Sequence, residues 1–276
     1  MYLSTLSENL KTSLRSKTTV FPVSDRTFSF GARSTPLNLA SLEKRKKQRF
    51  NGFCHSPFFI VKGEIIMDLE KVRRAFKRNR FECSVFETAG EAAEYLDGKI
   101  DGETVGFGDS LTLQAMGMYE KLSRHNTVFD VHQINRERDG FEKSNEAFLD
   151  LARKAMVTDV FLTSVNGVSE TGVMVNVDGT GNRVAGSLFG HKKVYFVLGV
   201  NKIMPTLEEA IYRARNVAAP KNVLRHGYKC GCSLQGGDRC YDCSAPDRIC
   251  NVLAIYYKKM RNIEMEVILI NEDLGY

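Results

Sequence analysis

"TDVFLTSVNGVSETGVMVNVDGTGNRVAGSLFGHKKVYFVLGV", Thr158 to Val200, decides the fold. It opens on "DVFLTSV" and closes on "KKVYFVLGV", two nearly continuous apolar runs of strand length. Runs of that kind belong to strands covered on both faces, as in a parallel sheet, rather than to strands with one wet side. Between them, "GVMVNVDGTGNRVAGSLFG" is Val-rich on both sides of Asp178-Gly179-Thr180-Gly181, which reads as a hairpin.

Working outward, strand and helix patterns alternate. "MDLEKVRRAFKRNRF" places Leu69, Val72, Ala75 and Phe76 on one helical face, and "FECSVFE" follows as a strand. "TAGEAAEYLDG" begins with Thr88 and Glu91 at capping-box spacing and stops at Gly98. "TVGFGDS" is a strand entering a glycine turn, "LTLQAMGMYEKLSRH" the helix after it, "TVFDVH" a strand and "EKSNEAFLDLARKAM" a helix. Beyond the quoted stretch come "TLEEAIYRARNVAA", a helix with Thr206 and Glu209 as a second capping box, then a cysteine-rich segment. "ICNVLAIYYKKMR" reads as a helix and "MEVILIN" as the last strand. The alternation predicts an α/β sandwich with a mostly parallel sheet that the hairpin makes mixed.

Charge divides the chain. Residues 1–66 carry 11 Lys/Arg against 4 Asp/Glu, and the remainder 28 against 29, so the basic balance belongs to the first 66 residues. No nucleic-acid surface is expected on the folded part. Residues 1–66 are read as a disordered tail, as sequence upstream of a true start at Met67, or as an organelle-targeting segment. The domain is expected over 67–276. No apolar run reaches the roughly 18–20 residues of a membrane span, and no secretory pattern is present, so a cytoplasmic protein without membrane insertion is expected.

Two glycine-rich places carry chemistry. In "VGFGDSLTLQAMG", Gly106 and Gly108 lie where a strand turns into a helix. Unpaired N–H groups there, with Asp109 or Ser110 as N-cap and Ser110 and Thr112 as hydroxyl donors, suit a phosphate or carboxylate; a plain capped turn is the alternative. The second is the polar loop after "DVFLTSV", with Asn166, Ser169, Glu170, Thr171, Gly172, Asn182 and Arg183, at the strand end where α/β folds place sites. Glu170 is suited to act as nucleophile, base or cation ligand, or to cap the turn. Gly179, Gly181 and Gly186, spaced G-x-G-x4-G, are read inside the hairpin rather than between strand and helix, so they fail the context of a nicotinamide-type fingerprint. Lys202 is read either as meeting an anionic ligand or as a solvated residue ahead of Pro205.

Taken in order, "GFGDSLTLQAMG", "TSVNGVSETGVMVNVDGTGNRVAGSLFG", "KKVYFVLGVNKI", "TLEEAIYRARN" and "CYDCSAPDRICN" resemble the LUD-domain, lactate-utilisation-type family, in particular its single-domain prokaryotic members. The resemblance implies a fold related to the ribose-phosphate isomerase and CoA-transferase-like group, a three-layer α/β/α sandwich. It also implies a small organic acid or its activated derivative as ligand. "SETG" is similar to the "SENG" of type I CoA-transferases, which would make Glu170 a nucleophile in acyl or CoA transfer. An accessory step in organic-acid oxidation is a further implication. The competing reading is a non-enzymatic metal- or ligand-binding subunit docked on an iron–sulfur oxidoreductase; a homo-oligomer is left open.

"KCGCSLQGGDRCYDCSAPDRICN", residues 229–251, holds Cys230, Cys232, Cys240, Cys243 and Cys250 in a C-x-C-x7-C-x2-C-x6-C pattern. The C-x2-C pair fits thiolate ligation of zinc, or of an iron–sulfur cluster. Structural thiols, or a redox-sensing loop beside Arg239 and Arg248, are the alternatives. Disulfides are disfavoured in a reducing compartment. Cys54 and Cys83 are isolated.

Overall fold

The structure, a computed structural model, describes residues 58–61, 64–134 and 141–276. The reading of residues 1–66, and Cys54, otherwise lie outside the described residues. Within that stretch β1 (Phe58–Val61) and β2 (Glu64–Met67) pair antiparallel. Helix α1 (Leu69–Arg78) follows, capped by Asp68, whose Oδ1 accepts the Lys71 N–H at 3.0 Å. Its apolar face buries Val72, Ala75 and Phe76, as the spacing predicts.

The main sheet is built by β3 (Glu82–Phe86), β4 (Thr104–Phe107), β5 (Thr127–Phe129), β6 (Val160–Thr163), β9 (Lys193–Gly199) and β12 (Glu264–Ile270). Their order is β3-β12-β9-β6-β4-β5, with every neighbouring pair parallel. Side chains alternate across it. From β9 and β12, Val194, Phe196, Leu198, Met265, Val267 and Leu269 join Val72 and Phe76 of α1 on one face. Tyr195, Val197, Ile268 and Ile270 join the other face. There they pack on Ala92 and Leu96 of α2 (Ala89–Lys99), Leu113 of α3 (Leu111–Ala115) and Leu122 of α4 (Met118–Leu122). Two buried faces on one sheet give the three-layer α/β/α sandwich that the resemblance implies. Each fully buried Phe or Leu contributes roughly 1.5–3 kcal/mol to holding these layers.

The hairpin belongs to a second, mixed sheet rather than to the main one. β7 (Gly167–Ser169) and β8 (Met174–Asp178) form a hairpin, flanked by β10 (Ile203–Met204) and β11 (Val252–Tyr256) in the order β10-β7-β8-β11. β10 is parallel to β7 and the other pairs are antiparallel. The reversal comes at Glu170-Thr171-Gly172, where Gly172 has φ +73°, not at Asp178–Gly181. After Asp178 the chain enters α6 (Asn182–Leu188) instead. The reason is the Asp178 carboxylate, which accepts the N–H groups of Gly181 and Val184 and so starts a helix. Gly179 and Gly181 thus lie between a strand and a helix, and Gly186 lies inside that helix, the reverse of the hairpin expectation.

Two other expectations change. The segment "NVLAIYYKKMR" is strand β11, not a helix, because it pairs antiparallel with β8 from Val252↔Asp178 to Tyr256↔Met174. Cross-strand pairing overrides the helical spacing of its apolar residues. "LTLQAMGMYEKLSRH" breaks into α3 and α4 at Gly117, whose φ of +63° no helix continues. Between β5 and β6 lies α5 (Phe141–Ala155). Both capping boxes form: Thr88 with Glu91 opens α2, and Thr206 with Glu209 opens α7 (Leu207–Arg213). From α7 the backbone widens into a π-helical stretch, Ala214–Ala218, and continues as α8 (Ala219–His226). This long element packs Ala210, Ala214 and Ala219 on Val175 and Val177 of β8. A single turn, α9 (Gly231–Leu234), begins the cysteine segment.

Candidate functional site

Strands β9, β6 and β4 are neighbours in the sheet, and all end at the same edge. Each hands the chain to a polar connection: Asn201-Lys202 after β9, Ser164-Val165-Asn166 after β6, and Gly108-Asp109-Ser110 after β4. Parallel strands converge their C-terminal connections on one crevice. Here that brings together Lys202, Ser164 and Thr112, which are far apart in sequence. Lys202 Nζ donates to Ser164 Oγ at 2.8 Å and to Thr112 Oγ1 at 3.1 Å.

A cleft opens over this edge as two adjoining chambers. The inner one, about 40 Å³, is lined by Asp109, Ser110, Thr112, Ser164, Asn166, Arg183, Lys202 and Arg225 among others. The outer one, about 150 Å³, shares Asp109, Asn166, Arg183, Ala218 and Asn222 with it and extends to Asp178, Asn182 and Tyr228. Ala218, the last π-helical residue, stands at their junction.

Three basic side chains, Lys202, Arg183 and Arg225, line the inner chamber against one acidic side chain, Asp109. Arg183 is anchored by donating Nη2 to the Val177 carbonyl and, at 3.4 Å, to Asn166 Oδ1. Asn166 Oδ1 also accepts the Val177 N–H at 2.8 Å. Arg213 approaches from behind, donating Nε to the Asn201 carbonyl at 2.9 Å. Lys202 is only 3% exposed, and among the described residues it forms no ion pair. Burial, with Arg213 and Arg183 adding their repulsion, drives its amine well below the ordinary lysine range.

Asp109 is already engaged. Its backbone is left-handed, φ +46°, which turns the side chain back toward His132. His132 Nε2 lies 2.9 Å from Asp109 Oδ1, and Nδ1 lies 2.9 Å from Oδ1 of buried Asp130. Burial lowers the His132 pKa, but the two carboxylates outweigh it and raise it to about 9. Burial alone would lift the Asp109 carboxyl; the His132 contact outweighs that and holds it far below its usual range. Asp109, on the cleft wall, thus belongs to a charged cluster with His132 and Asp130 behind it, and His132 offsets its charge locally.

Of the residues singled out from sequence, Asp109, Ser110, Thr112, Asn166, Asn182, Arg183 and Lys202 line the cleft. The solvated reading of Lys202 is corrected: the chain after β9 folds inward and encloses the amine. Gly106, Gly108, Glu170, Thr171 and Gly172 are not among the lining residues. The Gly108 N–H is spent on the Leu162 carbonyl at 2.9 Å, and both glycines are there for close packing. A Cβ on Gly106 would stand 2.5 Å from the Ala155 carbonyl, and one on Gly108 2.7 Å from Thr163 Oγ1. Glu170 to Gly172 form the β7–β8 turn, at the opposite end of β7 from Asn166, docked on α1. Lys71 Nζ lies 3.4 Å from Glu170 Oε2, and Asn79 Nδ2 donates to the carbonyls of Thr171 and Gly172 at 2.8 Å each. Ser164, His132, Asp130, Asn222 and Arg225 were not picked out. Only Ser164 has a local signal, as a hydroxyl directly after a buried strand.

All five cysteines of the 229–251 segment line one small cavity, about 10 Å³, together with Arg215 and Arg248. That is about the volume of one water molecule. Among the described residues, however, no group of three or more His, Cys, Asp or Glu side chains is arranged to hold a metal ion. Two of the thiols make local hydrogen bonds: Cys230 Sγ donates to the Asp247 carbonyl at 3.2 Å, and Cys240 Sγ accepts the Asp242 N–H at 3.4 Å. Asp242 inside the C-x2-C turn is left-handed, φ +45°. As arranged, the five thiols do not fit the metal site that their spacing suggests, and no chemistry is routed through zinc or iron–sulfur here.

A family model described as the LUD domain matches residues 69–270, nearly all of the sandwich and the whole cleft apart from Gly275-Tyr276. This chain belongs to the LUD domain family. Among solved structures, the LUD chain is similar to a DUF162 family protein from Deinococcus radiodurans, crystallised at 1.70 Å resolution. That chain is 13% identical, with a TM-score of 0.38 over 73% of this chain and 95% of the other. No curated protein matches. Among the described residues no helix is long and apolar enough to cross a membrane.

Proposed function

We propose that this LUD domain binds a small organic acid, or its activated derivative, in the cleft at the ends of β4, β6 and β9. One observation carries the reading: Lys202, Arg183 and Arg225 line the inner chamber, while its one carboxylate, Asp109, is paired with His132. The uncompensated charge is cationic, and hydroxyls of Ser110, Thr112 and Ser164 line the same space as hydrogen-bond partners. Volumes of about 40 and 150 Å³ suit an acid of a few carbons and fall well below the roughly 300–1,000 Å³ of a site for a drug-sized ligand. Arg183 and Arg225 supply the carboxylate clamp, and the Asp109–His132 pair is placed to exchange a proton with the bound acid or with water beside it.

Calorimetric titration of the full chain with lactate, pyruvate and glycolate tests this. Saturable binding that falls at least tenfold in Arg225→Ala, whose side chain is on the exposed rim, supports the reading. No heat and no thermal shift with any of the three acids overturns it.

A further inference from the structure

We propose that the Lys202 amine condenses with the carbonyl of a small 2-oxo acid, making this cleft an imine-forming site. The inference rests on the organic-acid reading of the same cleft and names the substrate class within it.

The geometry carries it in three parts. Lys202 is 3% exposed, yet lines the inner chamber. Its polar partners, Ser164 Oγ at 2.8 Å and Thr112 Oγ1 at 3.1 Å, are neutral hydroxyls, and among the described residues no carboxylate pairs with it. A lysine kept only for structure in a dry interior is ordinarily matched by an acid, because an unpaired buried ammonium is expensive. Finally, the cations that suit the acid's carboxylate, Arg183 and Arg225, line the same chamber. In a 2-oxo acid the carbonyl carbon is bonded directly to the carboxylate, so a carboxylate held by these arginines leaves the carbonyl within the small chamber that the amine lines.

The environment also favours the reactive form of the amine. Burial, then Arg213 and Arg183, lower its pKa. Desolvation beside other cations is a recognised way to hold a lysine neutral and nucleophilic.

The step balances without any redox partner. The Nζ lone pair attacks the carbonyl carbon, the C=O π pair moves to oxygen, and the oxygen takes a proton. Nitrogen gives up that proton, and the carbinolamine then expels its hydroxyl, which leaves as water once nitrogen's second proton has been passed to it. Amine plus ketone become imine plus water. Ser164 and Thr112, already hydrogen-bonded to Nζ, are placed to hand these protons on.

Borohydride trapping tests it. The full-length protein is incubated with pyruvate and sodium borohydride, then its intact mass and peptide map are read. One reduced pyruvyl adduct per chain, mapped to Lys202, is expected; lactate, which has no carbonyl, leaves none, and Lys202→Met removes the label while keeping the circular dichroism of the wild type. The wild-type peptide map decides the assignment even if Lys202→Met does not fold. Adducts scattered over surface lysines, or none, overturn the proposal. If pyruvate still binds saturably by calorimetry in competition with lactate, the imine fails and the organic-acid reading stands. If neither acid binds, both fail.

Discussion

Asp178 closes the first turn of α6 through Val184: its Oδ2 accepts the Val184 N–H at 2.9 Å, while Oδ1 accepts that of Gly181 at 3.0 Å. The carboxylate occupies the positive end of the helix and takes up two of the N–H groups there. Asp178→Ala should therefore lower unfolding free energy by about 1–2 kcal/mol. Asp178→Asn, which keeps one acceptor, should lose less. Urea denaturation of the three proteins checks the order.

His132 gives stability a pH dependence of definite sign. Its folded pKa, about 9, lies above the unfolded value of roughly 6.5. The stabilisation is fully present below pH about 6.5 and is lost as pH rises through about 9, because the folded state holds the proton longer. Wild type minus His132→Gln, followed by thermal unfolding from pH 6 to 10, should show a difference that shrinks across that window.

Lys202 should act with the opposite slope. Its folded pKa lies below the unfolded value of roughly 10.4, so folding releases a proton between the two and stability rises with pH over that interval. Lys202→Met should abolish the rise. Comparing the pH dependence of unfolding in the variant and the wild type isolates it from the His132 effect.

Two glycines should respond to alanine in opposite directions. At Gly106 the new Cβ meets the Ala155 carbonyl at 2.5 Å and Thr158 Oγ1 at 2.9 Å, so Gly106→Ala should destabilise by about 1–3 kcal/mol as α5 is pushed off the sheet. Gly98, within α2, has nothing within 4 Å of its Cβ position, and Gly98→Ala should stabilise by about 0.5–1 kcal/mol. Denaturant midpoints of both variants are sufficient to read the signs.

The cysteines should not react alike. Backbone N–H groups of Ala245 and Gly231 hold the Cys243 thiol below its usual value. Burial pushes Cys230 up to about 11 and Cys83 up to about 12. Timed iodoacetamide labelling near pH 7.5, read by peptide mass, should modify Cys243 well before Cys230 or Cys83.

The sequence by itself determined the elements whose signals are local. Continuous apolar runs marked β6, β9 and β12 as strands covered on both faces. The spacing of Val72, Ala75 and Phe76 marked α1, and the Thr88/Glu91 and Thr206/Glu209 pairs marked two helix starts, since each is settled within one turn of chain. The layers followed from those elements. Seven of the site residues were legible because they stand directly after strands or in a short polar loop.

Tertiary structure decided the rest. Whether Val252–Tyr256 would be helix or strand depended on β8, more than 70 residues upstream, offering an edge to pair with. Lys202 reads as a solvated lysine until β4 and β6 bring Thr112, 90 positions away, and Ser164, 38 positions away, around its amine. His132 meets Asp109, 23 positions away, only because β4 and β5 lie side by side in the sheet and the turns after them come together. Hydrogen bonds within a turn depend on neighbours along the chain. Desolvation and charge depend on everything that surrounds a group at once, and only the packed sheet brings those surroundings together.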